Sequence, residues 1–475
     1  MKILLINTNR NKSPMPVVPL GACMVAEAAA RAGHHVRFLD LMFAGEPLKA
    51  IEQAIKQAAP EVIGVSIRNI DNNDMLNPVF FAGDCLPLLQ RIRSLTEAPV
   101  VLGGAAVSVM PEQLLRFTGA DWAVAGEGDT VFPELVHALA EGRSPDQLPG
   151  LAWFADGKFQ CNAPAREGCA GRFVVPQFSR WLDLMAYKKN MATAPLQTKL
   201  GCHFQCIYCT YRRIEGNAYR LMDPAGTVEA VHAYTAMGFR NVEFVDNVFN
   251  SPHDHCLAVC EALARAGHGA RLQTYELNPL FVDDDLLTGM EEAGFVGAGV
   301  TVESASSSVL ARLKKGFSAE VVHRAAETIR RHRLPCIWIF MLGGPGETEA
   351  TVEETLSFAR TAIRASDAVF FTTGIRIYPG TEIDRIARDQ GVLSLSPDQM
   401  LEPFFYVSPE LDRVWLAKRI RRAMRENFHF MNGDTFDLPF LPTINRIGSL
   451  VGIEPPLWRY TRFIRRGLRL AGVDA

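Results

Sequence analysis

Leu200-Gly-Cys-His-Phe-Gln-Cys-Ile-Tyr-Cys-Thr210 places three cysteines, Cys202, Cys206 and Cys209, on one short loop. The spacing is C-x3-C-x2-C. Three thiolates on a tight loop suit three irons of a [4Fe–4S] cluster and leave the fourth iron open to another ligand. A four-cysteine site favours electron transfer or structure instead. A structural zinc site takes a fourth protein ligand, and His203, directly beside Cys202, is badly placed to serve the same ion. The loop therefore reads as a cluster site with one free iron position.

Outward from the loop, a series of short apolar runs alternates with helical patterns. Strands are expected at Leu196–Leu200, Val242–Val245, Ala270–Thr274, Ala298–Val302, Ile337–Leu342 and Ala368–Gly374, with helices between them. Six such units predict a partial (β/α)6 barrel, whose chemistry belongs at the strand C-termini. A second alternating series precedes it. Lys2–Ile6, Val36–Leu39, Val62–Ile67, Val100–Leu102 and a run at Val124 read as strands, and Gly21–Ala32 as an Ala-rich helix stopped by Gly33. That pattern predicts an α/β doubly wound, Rossmann-like parallel sheet with a ligand at the carboxyl ends of its strands. The expected boundaries are 1–145 for this first domain, 146–190 for a connector with a hairpin near Asp156-Gly157, 191–380 for the barrel, and 381–475 for a helical, basic C-terminal segment.

The cysteine loop, with its aromatic Tyr208 before the last cysteine, resembles the radical S-adenosylmethionine (SAM) superfamily. The resemblance implies that the open iron chelates the amino and carboxylate groups of SAM, whose reductive cleavage gives a 5′-deoxyadenosyl radical. Tyr208 is then expected near the adenine. Further segments follow in the family's order: Glu243-Phe-Val-Asp-Asn247, Gly299-Val-Thr-Val-Glu-Ser304, Phe340-Met-Leu-Gly-Gly-Pro-Gly-Glu-Thr348 and Ile377-Tyr-Pro-Gly-Thr381. They imply SAM contacts from Asp246, Glu303 and the Gly343-Gly344 backbone, glycine allowing close approach. One departure is Ala305, where the related pattern Glu-Ser-Gly-Ser has glycine.

Residues 1–145 resemble the cobalamin-binding domain that precedes many such barrels. The matching pieces are Val18-Pro-Leu-Gly21, Gly33-His-His-Val36, Gly64-Val-Ser-Ile67, Gly103-Gly-Ala105, Pro111-Glu112 and Gly126-Glu-Gly-Asp129. They imply cobalamin contacts from Leu20, Gly21, Ser66, Gly103, Gly104 and Glu127. The pattern Asp-x-His-x-x-Gly, whose histidine ligates cobalt in many cobalamin proteins, is missing, and His34-His35 has the wrong spacing, so no histidine is expected on cobalt. No G-x-G-x-x-G follows the first strand, which disfavours a dinucleotide. A methylthiotransferase front end carries further cluster cysteines, whereas this region offers only Cys23 and Cys85.

Composition is in keeping with this. The 475-residue chain suggests two or three domains. A formal net charge of -3 argues against a general nucleic-acid binder. No apolar run approaches the ~18 residues of a membrane span, and Met1-Lys-Ile-Leu-Leu-Ile6 reads as a strand and not a signal peptide, so a cytoplasmic enzyme is expected. Most of the scattered cysteines (Cys23, Cys85, Cys161, Cys169, Cys256, Cys260 and Cys336) are expected as small buried hydrophobes.

The tail differs from the body. Leu411–Ala475 holds twelve Lys or Arg against six Asp or Glu. Basic runs occur at Lys418–Arg425 and in Leu457–Leu470. On a helical wheel the second puts Leu457, Tyr460, Ile464 and Leu468 on one face and Arg459, Arg462, Arg465, Arg466 and Arg469 on the other. Such a helix either lies on an anionic membrane surface, here the inner face, or packs on its own domain.

The resulting expectation is a radical C-methyltransferase. It would use a [4Fe–4S] cluster, two SAM molecules per turnover, cobalamin as methyl carrier, and an external electron donor such as flavodoxin or ferredoxin. Its substrate is expected to be a small, amphiphilic or lipid-like molecule. The alternatives are an oxidative cyclase or ring-rearranging enzyme with the same cofactors, and a non-catalytic cobalamin or redox sensor.

Overall fold

The computed structural model describes residues 1–164, 175–432, 447–448 and 452–470. Strands β1 (Lys2–Asn7), β2 (His35–Asp40), β3 (Val62–Ser66), β4 (Val100–Gly103), β5 (Trp122–Val124), β6 (Leu151–Ala155) and β7 (Lys158–Cys161) form one sheet in the order β2-β1-β3-β4-β5-β6-β7. The first five are parallel. Alternation along β1 explains why both faces are covered. Ile3 and Leu5 join one buried cluster with Cys23, Ala26, Phe132 and Leu135 of the helices Leu20–Arg31 and Gly128–Ala140. Leu4 and Ile6 join another with Ile51, Leu88 and Leu114 of the helices on the opposite face. The expected hairpin turns at Asp156 and Gly157, both at positive φ as a type I′ turn requires. It adds β6 and β7 antiparallel to the edge of this sheet.

The second sheet follows. Its strands are β8 (Ala194–Leu196), β11 (Asn241–Phe244), β12 (Arg271–Leu277), β13 (Phe295–Glu303), β14 (Cys336–Leu342), β15 (Ala368–Thr373) and β18 (Phe430–Asn432), every adjacent pair parallel. Two-residue ladders complete the numbering: β9 (Lys199–Leu200) pairs antiparallel with β10 (Arg220–Leu221), and β16 (Ile375–Arg376) with β17 (Phe405–Tyr406). Five of the six expected barrel strands are present; the first, expected at Leu196–Leu200, lies instead at Ala194–Leu196, and Lys199–Leu200 turn away into the ladder with β10. The seventh, β18, comes from the segment expected to be helical. Its three residues are too few to show a period of two, and only the open edge of β15 makes them a strand.

The tail corrects the helical-wheel expectation. The helix Trp458–Leu470 buries Trp458, Thr461 and Arg465. Trp458 packs on Ile337, Ala368 and Met431, with Tyr275 and Phe370 alongside, at the lower mouth of the barrel. A Cβ at Gly297 would stand 2.8 Å from Pro456 and 2.9 Å from the Trp458 ring, so glycine there makes room for the plug. Arg465 donates to the carbonyls of Met424 (3.1 Å), Phe428 (3.2 Å) and Phe430. Arg462 donates to Ala365 O (2.9 Å) and Arg459 to Val296 O (3.4 Å). Three of the arginines assigned to a solvent or membrane face are thus tied to the barrel; the side chains of Leu468 and Arg469 lie outside the described residues. Among the described residues no helix is long and apolar enough to cross a membrane.

Five of the scattered cysteines are buried and Cys161 is exposed, at the edge strand β7; Cys169 lies outside the described residues.

Candidate functional site

The cysteine loop leaves the two-residue ladder of β9 and β10. Gly201 sits at φ +88, and a side chain there would collide with the Ala218 carbonyl, so the loop requires glycine just before Cys202. Cys202 N donates to Gly216 O (3.2 Å), Cys209 N to Cys206 O (3.2 Å), and Ile207 N to Leu313 O (3.3 Å). Burial pushes all three thiols up, Cys209 to about 12. Bare thiols here stay protonated, and bound iron supplies the charge that thiolates need. Among the described residues no three His, Cys, Asp or Glu side chains are grouped around a single-ion position. A cluster asks less of its ligands, since each thiolate takes its own iron.

Asp246 supports this loop from below and does not face it. Its carboxylate accepts from Thr198 N (2.6 Å), Thr198 Oγ1 (2.6 Å) and Lys199 N (3.1 Å), and the residue is fully buried. The Asp246 expected to contact SAM thus holds the backbone at the start of the cysteine loop. Glu215 acts similarly from the side. Its carboxylate accepts from Gly201 N (3.0 Å), Gln197 Nε2 (2.9 Å) and Asn247 Nδ2 (2.6 Å).

Tyr208 and Glu303 meet, 95 residues apart in sequence: the phenol donates to Glu303 Oε1 at 2.7 Å. Lys315 joins them, 2.9 Å from the same carboxylate oxygen and 3.3 Å from the phenol. Glu303 is 7% exposed and Lys315 6%. Burial alone would lower the Lys315 pKa, but Glu303, Cys206 and Glu276 hold it above the ordinary lysine value. Glu303 Oε2 is buried without a hydrogen-bond partner, an acceptor set aside for a donor such as an ammonium group. Its backbone is strained as well, at φ +65 beside a register shift between β13 and β14. Such outliers are retained where function requires them. Glu276, at the end of β12, is pushed up to about 8, first by burial and then by Glu303.

The Gly343-Gly344 turn is braced from within. Both amides donate to the buried Glu347 carboxylate, Gly344 at 2.9 Å, and Gly343 O accepts from Ser408 N at 2.9 Å. The turn's backbone is already paired, so its glycines offer close approach without free amides. Gly343 is at φ +104, which explains the residue type.

The carboxyl ends of the two sheets face one another across a cavity of about 900 Å³, near the upper end for ligand pockets. On one side stand Gly21, Ser66, Gly103, Gly104 and Glu127. Leu20, expected beside them, packs instead against the core. On the barrel side stand Gln197, Leu200, Ile214 and Glu215, and not Tyr208, Asp246, Glu303 or Gly343-Gly344. The cavity therefore abuts the base of the cysteine loop and not the Tyr208 cluster. Cβ atoms at Gly21 or Gly103 would meet nothing within 4 Å, so these glycines hold open space for a ligand. Gly104, at φ +98, lies too close to Ile67 O for any side chain. Ser66 and Glu127 place a hydroxyl and a carboxylate on a largely apolar wall, which suits a large amide-rimmed ligand. Among the described residues no histidine lines the cavity; His34 and His35 stand at the opposite ends of β1 and β2.

Sequence reading missed Lys315, Glu215, Glu276 and Glu347. Lys315 lies in Arg312-Leu-Lys-Lys-Gly316, which reads as a solvated charge run; nothing local marks it as buried. Glu347 was visible only as part of a turn.

Comparison with known proteins gives two family matches, the radical SAM superfamily over residues 197–359 and the B12 binding domain over residues 6–136. An uncharacterised methyltransferase of Pyrococcus horikoshii is 26% identical over 400 residues, 81% of this chain and 82% of its own. A tryptophan 2-C-methyltransferase of Streptomyces laurentii is 23% identical over 439 residues, 78% of this chain and 72% of its own. The radical SAM methyltransferase TsrM of Kitasatospora setae, solved with cobalamin and a [4Fe–4S] cluster, superposes with a TM-score of 0.83 over 99% of both chains at 21% identity, which shows a shared fold. The chain thus combines a B12 binding domain, matched over the first sheet, with a radical SAM domain, matched over the barrel and its cysteine loop; it is an enzyme whose cofactors are SAM, a [4Fe–4S] cluster and cobalamin.

Proposed function

We propose that this enzyme methylates carbon on a small-molecule substrate. The observation that carries the reading is the cavity of about 900 Å³ that both domains line, which brings the glycine-rich strand ends of the B12-binding domain up to the base of the cysteine loop. Methyltransferases among its relatives support it. When bound, SAM and its cluster supply a hydrogen-abstracting radical and cobalamin supplies a methyl carrier; the protein's share is binding, orientation and seclusion.

Within that division of labour the residues take distinct parts. Cys202, Cys206 and Cys209 hold the cluster. Glu303 Oε2 receives the ammonium of SAM, and Tyr208 and Lys315 fix the carboxylate that presents it. Asp246 and Glu215 hold the loop on which the cysteines sit. Gly21, Ser66, Gly103, Gly104 and Glu127 form the cobalamin cradle, with no histidine on cobalt. An external flavodoxin or ferredoxin would supply electrons, which places the enzyme in the reducing cytoplasm. The membrane encounter expected from the tail, and the amphiphilic substrate inferred with it, lose their motive, because Arg459, Arg462 and Arg465 are engaged by the barrel.

SAM carrying a deuterated methyl group tests the reading before any substrate is known. Under reducing conditions the holoenzyme should form deuterated methylcobalamin and an equal amount of S-adenosylhomocysteine. With L-tryptophan and small amphiphiles as trial substrates, a methylated product should carry the label. Turnover to 5′-deoxyadenosine with no S-adenosylhomocysteine and no labelled cobalamin would instead support the cyclase or rearrangement reading.

A further inference from the structure

The cobalamin cavity and the cysteine loop share one set of hydrogen bonds. Glu127, at the start of the helix Gly128–Ala140 in the B12-binding domain, lines the cavity. Its carboxylate pairs with the guanidinium of Arg220, whose side chain is only 12% exposed. Arg220 belongs to β10, directly opposite Leu200 in the ladder that launches the cysteine loop. The same guanidinium donates to Glu215 O at 3.1 Å. The Glu215 carboxylate in turn accepts from Gly201 N, the residue before Cys202. A shift of Glu127 is thereby passed to Cys202 through one arginine and one glutamate, each held by more than one bond.

We propose that Arg220 is a positioning residue that links cobalamin binding to the geometry of the cysteine loop, so that SAM and cobalamin bind cooperatively. The reason lies in the fork of donors on a guanidinium, which can serve an acceptor in each domain at once. An ion pair between domains contributes little net stability, but it transmits geometry, because letting go of either partner leaves a largely shielded charge unpaired. The inference rests on the cofactor assignment made above.

Titration calorimetry on the cluster-reconstituted protein tests it, with SAM and hydroxocobalamin as the probes, each added alone and in the presence of the other. In the wild type each should tighten the other by the same factor, as linkage demands, of about tenfold. Arg220→Gln should bind each probe alone nearly as well, with the coupling abolished. Arg220→Lys should retain part of it, since an ammonium reaches Glu127 without also forking to Glu215. If Arg220→Gln does not fold, the graded loss in Arg220→Lys decides. Independent binding in the wild type, or undiminished coupling in the variants, overturns the inference. Failure of the wild type to bind one of the probes overturns the cofactor assignment instead. No catalytic turnover is needed for any of these readings.

Discussion

At the scale of single residues, the candidate site is set by which polar groups have partners and which lack them. Glu303 uses one oxygen for Tyr208 and Lys315 and keeps the other unpaired. Glu303→Gln preserves shape but removes the charge and is expected to weaken SAM binding by one to two orders of magnitude, as loss of a buried charged hydrogen bond of about 1.5–3 kcal/mol implies. Equilibrium dialysis with labelled SAM measures this, and unchanged affinity would remove Glu303 from the SAM site. Replacing Cys206 by Ala is expected to leave the protein folded but unable to hold four irons after anaerobic reconstitution; a full iron count would refute the three-cysteine cluster. Glu347 gives a pH prediction. Its folded-state pKa is raised to about 7 by burial, while its unfolded value is the ordinary one. The folded state therefore binds the extra proton, and this group's contribution is complete below about pH 4.3 and lost as pH rises to 7. Stability measured by urea unfolding should fall across that window by an amount on the order of 1–3 kcal/mol, and Glu347→Gln, which still accepts from Gly343 and Gly344, should flatten the fall.

At the scale of elements, backbone conformation separates glycines that fold the chain from glycines that serve a ligand. Gly104 is at φ +98 with Ile67 O 2.5 Å from where a Cβ would lie. Gly104→Ala should cost stability on the order of 1–3 kcal/mol. Gly103 has an ordinary backbone and open space, so Gly103→Ala should fold normally and lose cobalamin instead. Thermal unfolding together with cobalamin absorbance distinguishes the two, and equal behaviour would contradict the cradle. The C-terminal helix is a barrel floor. Trp458→Ala is expected to destabilise by about 3–5 kcal/mol through the cavity it leaves, whereas the intact protein should not sediment with anionic vesicles at low salt. Salt-sensitive sedimentation that Arg466→Gln abolished would restore the membrane reading.

At the scale of the molecule, the two sheets must be held together for the cavity that both line to keep its shape. Besides Arg220, a fully buried pair does this: Asp71, on the loop after β3, lies 2.8 Å from Arg376 in β16, and both side chains are at most 4% exposed. Arg376 also donates to Ile377 O at 2.6 Å, and Tyr378 donates to Asn73 at 3.0 Å across the same seam. Asp71→Ala strands a buried guanidinium and should cost about 3–5 kcal/mol. Denaturant unfolding checks the magnitude; a cost below that of a surface substitution would mean that the seam relaxes.

The local sequence by itself determined the cysteine loop, because three thiols within eight residues need no distant partner to be recognised. It determined both alternating series as well, since burial on one or two faces imposes its period on every strand of ordinary length. Gly33 was visible as well, as the stop of the Ala-rich helix. What only tertiary structure decided are the groups whose meaning is a partner far along the chain. Lys315 looks solvated until Glu303 meets it, and the grip of Asp246 on Thr198 and Lys199 exists only once folding joins the two strand ends. Arg465 looks like a membrane-facing charge until the carbonyls of Met424, Phe428 and Phe430 take its donors, and β18 is three residues without pattern until β15 offers an edge. Hydrophobic periodicity is a local property of the chain, whereas the pairing of a buried charge depends on which distant segment folding brings to it.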